Sequence, residues 1–108
     1  MKANEIRLGN YVIDLKINKS KEIEYGDFEY SEDLEGIPLN EEWLLKFGFD
    51  IRGGNYWNCK NGFDFVVIND KIGFFLNIGG ADFVEIEYVH KLQNLYFEIV
   101  GEELTVKN

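Results

Sequence analysis

The sequence predicts an α+β domain in which an antiparallel β-meander, forming a partly open, barrel-like sheet, is combined with a short central helix and a longer C-terminal helix. Two observations carry this prediction. Apolar and polar residues alternate in several short stretches, as in strands, and apolar residues take a helical spacing from Val89 to Val100. Because the 108 residues contain no linker and no internal repeat, residues 1–108 are expected to form one domain.

The N-terminal third is expected to contain short elements joined by polar turns. Gly9 and Asn10 break a first helical turn, and alternation of apolar residues then predicts a strand. In chain order we expect a helical turn over residues 4–7, strands over 11–17 and 22–25 separated by a polar turn at 18–21, a short strand over 28–30, and an acidic loop over 31–36.

The clearest helix start is at Asn40, whose side chain can accept hydrogen bonds from free N–H groups of the first turn. Glu41 and Glu42 follow in that turn, where the helix dipole favours negative charge. Gly48 can end the helix in a left-handed conformation. A helix of about two turns, with Trp43, Leu44 and Phe47 facing the core, is therefore predicted.

The middle of the chain indicates a meander. Asn61-Gly62 stands between the strand patterns 56–60 and 63–68, and this dipeptide is the strongest short signal for a hairpin. A second tight turn is predicted at residues 69–71, followed by strands over 72–78 and 83–87. The last element is a helix whose apolar stripe contains Val89, Leu92, Tyr96, Ile99 and Val100, with Gly101 as its C-terminal cap.

Composition excludes several classes of protein. The chain has 11 basic and 20 acidic residues, a net charge of −9, which argues against direct binding to free nucleic acid. The single Cys excludes an internal disulfide and a multi-cysteine metal site. The N-terminus carries no apolar targeting stretch and no run is long enough to span a membrane, so we expect a cytoplasmic protein without a cofactor.

The acidity is concentrated in one segment. Residues 22–42 contain nine acidic residues and no Lys or Arg, and the remaining residues balance 11 acids against 11 bases. A negative patch on a neutral body is either a solvated face or a contact surface for a basic partner. Glu41 and Glu42 are accounted for by the helix start. The candidate partner-binding residues are therefore Glu22, Glu24, Asp27, Glu29, Glu32, Asp33 and Glu35.

Patterns that would indicate an enzyme are weak. His90 is the only histidine, and a Cys59–His90 nucleophile–base pair has nothing to lower the thiol pKa, so Cys59 is better explained as a strand residue and His90 as a surface or capping residue. The pairs Glu22/Glu24 and Glu85/Glu87 could bind a divalent cation, but neither spacing matches a calcium loop. A small metal-dependent hydrolase using Glu85 and Glu87 stays a minor alternative. We expect no catalytic residues and no metal ligands.

The strands of the meander are apolar on both faces. Phe63, Phe65 and Val67 alternate with Val66 and Ile68, so each face requires a cover. The aromatic residues could stack on bases, but the lack of surrounding Lys and Arg favours core packing. One face can pack against the helices. The other requires a second sheet or a partner subunit, which makes a homodimer a hypothesis.

Three stretches together resemble a family of small acidic proteins found in phages and mobile elements of Bacteroidota. They are residues 2–12, KANEIRLGNYV, residues 37–49, IPLNEEWLLKFGF, and residues 87–97, EYVHKLQNLYF, the last followed by GEEL at 101–104. They are spread over nearly the whole chain and contain caps and core positions, with no catalytic motif. The resemblance implies a counter-defence role, specifically that of a type VI-B anti-CRISPR protein acting on an RNA-guided RNase.

Two kinds of function are consequently expected. The first is a non-enzymatic inhibitor that binds a basic nucleic-acid enzyme, with or without its guide RNA, through the acidic segment by charge complementarity. The alternative is a structural or regulatory phage protein that self-associates through its aromatic sheet. Charge reversal in the acidic segment and measurement of the oligomeric state discriminate between them.

Overall fold

A computed structural model describes residues 1–60, 63–70, 73–79 and 82–107. It contains two antiparallel sheets, neither of them closed, and two α-helices, which confirms the predicted α+β class with its short central and longer C-terminal helix. The helices are α1 (Glu41–Lys46) and α2 (Val89–Val100). Of the helices in the described ranges, none is long and apolar enough to cross a membrane.

The N-terminal sheet is formed by three strands, β1 (Tyr11–Asp14), β2 (Lys19–Glu22) and β3 (Leu34–Gly36), in the order β2-β1-β3. Strand β1 pairs on one side with β2, bringing Tyr11 opposite Glu22, and on the other side with β3, bringing Ile13 opposite Glu35. Two 3₁₀ helices, Ala3–Glu5 and Tyr25–Asp33, accompany the strands.

The second sheet is a five-stranded meander in which each strand pairs with its neighbours along the chain. Its last four strands correspond to the predicted meander, whereas the first, Asp50–Arg52, was not predicted. Lys60 pairs with Phe63 on either side of the predicted Asn61-Gly62 turn, which itself lies outside the described residues. Its strands are β4 (Asp50–Arg52), β5 (Asn55–Lys60), β6 (Phe63–Asp70), β7 (Gly73–Gly79) and β8 (Asp82–Glu85).

The predicted start of α1 at Asn40 and the predicted end of α2 at Gly101 are confirmed. The Asn40 side chain accepts a hydrogen bond from Trp43 N at 3.0 Å, and Leu44 and Phe47 are fully buried. Gly101 ends α2 at φ 84°, the left-handed conformation that glycine adopts without a steric cost.

The main core lies between the inner face of the meander and the two helices. A smaller cluster formed by Ile6, Val12, Ile23 and Leu34 lies on the other side of the N-terminal sheet, next to the Tyr25–Asp33 helix. Tyr11 and Ile13 alternate with Val12 and pack against the main core, so β1 separates the two clusters.

The buried amide of Gln93 joins α2 to the N-terminal sheet. Its Oε1 accepts from Tyr11 N at 2.8 Å, and its Nε2 donates to Gly9 O at 3.0 Å. Beside it, Asn10 Nδ2 donates to Asn94 Oδ1 at 3.0 Å. These contacts satisfy backbone groups that the buried start of β1 would otherwise leave without partners.

Several predicted boundaries are wrong in the N-terminal third. The first strand ends at Asp14, because the Asp14 carboxylate accepts from Lys16 N at 2.9 Å and begins a turn. The predicted polar turn at 18–21 is largely β2. The predicted strand over 28–30 is part of a 3₁₀ helix, and the loop predicted over 31–36 contains β3, where buried Leu34 pairs with Asp14. In the meander, Asn69 and Asp70 belong to β6 and not to a turn, because Asp70 pairs with Gly73; Lys71 lies outside the described residues.

Candidate partner-binding surface

Most of the predicted acidic site lies on the 3₁₀ helix Tyr25–Asp33, which connects β2 to β3. None of its residues is fully buried. Glu24 caps its start, and the Asp27 carboxylate accepts a hydrogen bond from Glu24 N at 2.8 Å. This local hydrogen bonding explains why the acidic sequence forms helical turns here rather than a strand.

Two of the seven predicted site residues form ion pairs within the described ranges. Lys21 Nζ lies 2.7 Å from Asp27 Oδ1, and Lys16 Nζ lies 3.2 Å from Asp33 Oδ2. Burial opposes ionisation of Asp27, but the hydrogen bonds from Lys21 and from the Glu24 backbone lower the pKa of its carboxyl below the ordinary value. Asp27 and Asp33 therefore hold the segment in place and contribute little free charge to a partner.

The other five predicted residues are exposed, and within the described ranges none of them forms an ion pair. The structure does not bring all five together. By register, Glu22 shares a sheet face with Tyr11 and Glu35 shares it with Ile13, and this face is opposite to the 3₁₀ helix. The residues on the helix and at its cap are Glu24, Glu29 and Glu32.

Two tyrosines accompany these three glutamates. Tyr25 is 81% exposed and Tyr30 is 53% exposed, and Lys16 Nζ lies 4.2 Å from the centre of the Tyr30 ring. We call the set Glu24, Tyr25, Glu29, Tyr30 and Glu32 the acidic ridge. The charge pattern of the sequence identifies the glutamates but not the tyrosines. Aromatic residues inside an acidic run are the additional signal that indicates a contact surface.

The residues considered for catalysis do not form a site. Cys59 is exposed on β5, and a hydrogen bond with the Asp64 carboxylate raises the pKa of its thiol, the opposite of an activated nucleophile. His90 is buried in the first turn of α2, and Tyr88 occupies the N-cap position, so the prediction of a surface or capping histidine is wrong. No three acidic, His or Cys side chains of the described ranges are grouped so as to hold a metal ion.

The two faces of the meander have different surroundings. Tyr56, Phe65, Val67 and Leu76 are buried on the inner face, as predicted for a face covered by helices. The outer face carries a row of partly exposed apolar side chains, with Phe83 50% exposed at its edge. We call this row the outer sheet face: Trp57, Val66, Ile68, Phe75 and Phe83.

Comparisons of the chain with protein-family models, with curated proteins and with solved structures find no match. The resemblance to a phage protein family stays a prediction.

Proposed function

We propose that this protein is a non-enzymatic counter-defence protein of the anti-CRISPR type, which binds and inhibits an RNA-guided RNase of type VI-B in the cytoplasm of the host bacterium. The supporting observation is the acidic ridge, where Glu24, Glu29 and Glu32 are exposed without ion pairs in the described ranges. Glu24 also caps the start of the 3₁₀ helix, whereas Glu29 and Glu32 form no ion pair within the described ranges. The position of these carboxylates beside exposed tyrosines favours a contact surface over a merely solvated face.

Charge complementarity supplies the mechanism. An RNA-guided nuclease binds its guide through a positively charged channel, because neutralisation of phosphates dominates the affinity for RNA. A group of exposed carboxylates can occupy part of such a channel, which accelerates association and selects for basic partners. Tyr25 and Tyr30 would add desolvated aromatic contacts, and tyrosine is among the residues that carry most binding energy at protein interfaces.

A matched pair of triple variants tests the proposal. Glu24→Lys, Glu29→Lys and Glu32→Lys together reverse the acidic ridge, and Asp64→Lys, Asp70→Lys and Glu85→Lys make the same change in net charge on the outer side of the meander. RNA cleavage by the purified, guide-loaded effector is measured with each protein. We expect the ridge variant to lose inhibition and the control to retain it. Equal inhibition by wild type and ridge variant would contradict the proposal.

The outer sheet face favours the second candidate, a self-associating structural or regulatory protein of a phage or mobile element. Its apolar residues are flanked by Asp64, Asp70 and Glu85, and by Asp50, which lies 3.5 Å from Arg52. Stacking this face on its own copy would bring like charges together, which opposes a homodimer and makes this candidate secondary. A strict monomer in light scattering at high concentration would contradict it.

A further inference from the structure

A cleft of about 440 Å³ lies between the N-terminal 3₁₀ helix and the start of α2. A second cleft of about 220 Å³ extends from it toward β3, and Glu5, Tyr88 and His90 line both of them. The two clefts are continuous, because these three residues line both of them. We call the combined cleft the His90 cleft. It is separate from the acidic ridge, because none of the ridge residues lines it.

Backbone pairing fixes the floor of the His90 cleft. Leu39 N donates to Glu87 O and Val89 N donates to Ile37 O, each at 2.9 Å, so the chain after β3 runs antiparallel to the chain before α2. Gly36 consequently lies directly under two rings: a Cβ there would lie 2.8 Å from Tyr88 Cδ1 and 3.0 Å from His90 Cε1. The two rings are stacked, with centroids 5.7 Å apart.

The lining is negatively charged. Glu5, Glu87 and Glu98 line the first part and Glu35 lines the second, and none of the four forms an ion pair within the part of the chain that the structure describes. The cations facing this lining are Lys91 and the N-terminal ammonium group, which points to Leu34 O at 3.4 Å. Carboxylates are therefore in excess over cations in the cleft.

His90 is the second, independent observation. It is only 7% exposed and lines both clefts, yet neither of its ring nitrogens has a hydrogen-bond partner among the described residues. Polar side chains buried to this extent are almost always hydrogen-bonded. Nδ1 is fully buried and Nε2 is not, so Nε2 is the nitrogen that a ligand in the cleft can reach. Burial also lowers the pKa of His90, with Glu5 acting in the opposite direction and Lys91 in the same one. The imidazole therefore favours its neutral form, and with its proton on Nδ1 it presents Nε2 as an acceptor.

We propose that the His90 cleft binds an organic cation, a guanidinium or alkylammonium group, whose N–H groups donate to the carboxylates of the lining and to Nε2 of His90. The stacked Tyr88 and His90 rings supply the aromatic wall that such cations favour. A bare metal ion fits less well, since no group of three His, Cys, Asp or Glu residues in the described ranges could hold one. The cation has two possible sources, a basic side chain of a protein partner or a free polyamine.

A nuclear magnetic resonance titration of the full chain tests this site. His90 is the only histidine, so its ring protons give one set of signals that needs no assignment. The probes are Nα-acetyl-arginine amide, putrescine, and Nα-acetyl-citrulline amide, which is the uncharged counterpart of the arginine probe. We expect saturable shifts of the His90 signals with the arginine probe or with putrescine and no saturable shift with the citrulline probe.

Two variants make the result specific. Glu5→Gln combined with Glu87→Gln removes two exposed carboxylates of the cleft and is expected to weaken cation binding by about tenfold, since contacts between exposed charges are individually weak. Glu29→Gln on the acidic ridge is the control and is expected to leave binding unchanged. No saturable shift with either cation, equal binding of the citrulline probe, or full binding by the double variant would overturn the proposal.

The same titration separates the two sources. Tighter binding of the arginine probe assigns the site to a basic side chain of a protein, and tighter binding of putrescine assigns it to a free polyamine. The outcome is independent of the proposed function, because the titration contains no nuclease and the ridge triple variant leaves every residue of the His90 cleft in place.

Discussion

Lys21 Nζ lies 2.7 Å from Asp27 Oδ1, and this ion pair connects β2 to the 3₁₀ helix that carries the acidic ridge. The same carboxylate accepts a hydrogen bond from Glu24 N, so Asp27 closes the first turn of the helix. An acidic residue in the middle of the candidate site therefore stabilises the fold, whereas Glu29 and Glu32 form no ion pair within the described ranges.

Replacing Asp27 is expected to destabilise the fold, whereas replacing a ridge glutamate is not. Asp27→Ala removes both the ion pair and the capping hydrogen bond, and a lost cap costs about 0.5–2 kcal/mol. Glu29→Ala is the matched control, because Glu29 is exposed and is expected to change the free energy of unfolding by less than about 0.5 kcal/mol. Urea unfolding followed by circular dichroism measures both, and equal stability of the two variants would contradict this division of roles.

Gln93→Leu is expected to destabilise the fold more than Asp27→Ala does. The leucine would leave Tyr11 N and Gly9 O without the partners that Gln93 provides, and each unsatisfied buried group costs about 1–3 kcal/mol. We expect a loss of about 2–4 kcal/mol in the free energy of unfolding. Gln93→Glu keeps the shape of the side chain and the acceptor toward Tyr11 N but loses the donor toward Gly9 O. If Gln93→Glu were as stable as the wild type, the hydrogen bond to Gly9 O would be unimportant for stability.

Gly36→Ala is expected to displace the two rings above it. Its Cβ would lie 2.8 Å from Tyr88 Cδ1, closer than packed atoms allow, and overpacking of this kind typically costs about 1–3 kcal/mol. The His90 ring signals should shift with it. Gly26→Ala is the control, since a Cβ at residue 26 meets nothing within 4 Å. Unshifted His90 signals in Gly36→Ala would show that Gly36 does not set the ring positions.

The buried imidazole predicts a pH dependence of stability. Burial lowers the pKa of His90 in the folded protein below the value of about 6.5 expected for the unfolded chain. Between these two pKa values the unfolded state binds more protons, so the free energy of unfolding falls as the pH falls below about 6.5. His90→Phe should flatten this decrease between about pH 7 and pH 5. Unfolding curves across that range test it, and an unchanged slope in the variant would contradict the burial of a neutral His90.

Local chemistry allowed part of the fold to be predicted. The Asn40 cap, the Gly101 terminus and the meander each follow from residues that act within a few positions of one another. The pairing of β3 with β1 could not be inferred in this way, because residues 34–36 carry no strand signal of their own and gain their partner from a strand some 20 positions earlier. The acidic sequence of residues 31–36 therefore predicts an exposed loop where the structure has a strand.

The sequence predicts which segment carries the candidate site, but not which of its acidic residues are paired with lysines of the fold. Residues 22–42 contain no Lys or Arg, but Lys16 and Lys21 lie just before this segment. In the folded chain Lys16 pairs with Asp33 and Lys21 pairs with Asp27. The burial of His90 was equally hidden, since it depends on the antiparallel pairing of residues 37–39 with 87–89. Gln93 offered a usable signal, because it is a polar residue one turn after Val89 on the apolar side of α2.

We propose that the acidic ridge binds a guide-loaded, RNA-guided RNase by charge complementarity. Capture of that effector from a host lysate on the immobilised protein, washed at low and at high salt, tests this binding with wild type and the triple variant E24K/E29K/E32K side by side. We expect wild type to retain the effector at low salt and to release it at high salt, because charge contacts between exposed groups are screened by ions. We expect the triple variant to capture none. Equal capture by both proteins, or capture that is insensitive to salt, would show that the acidic ridge does not bind the effector through its charge.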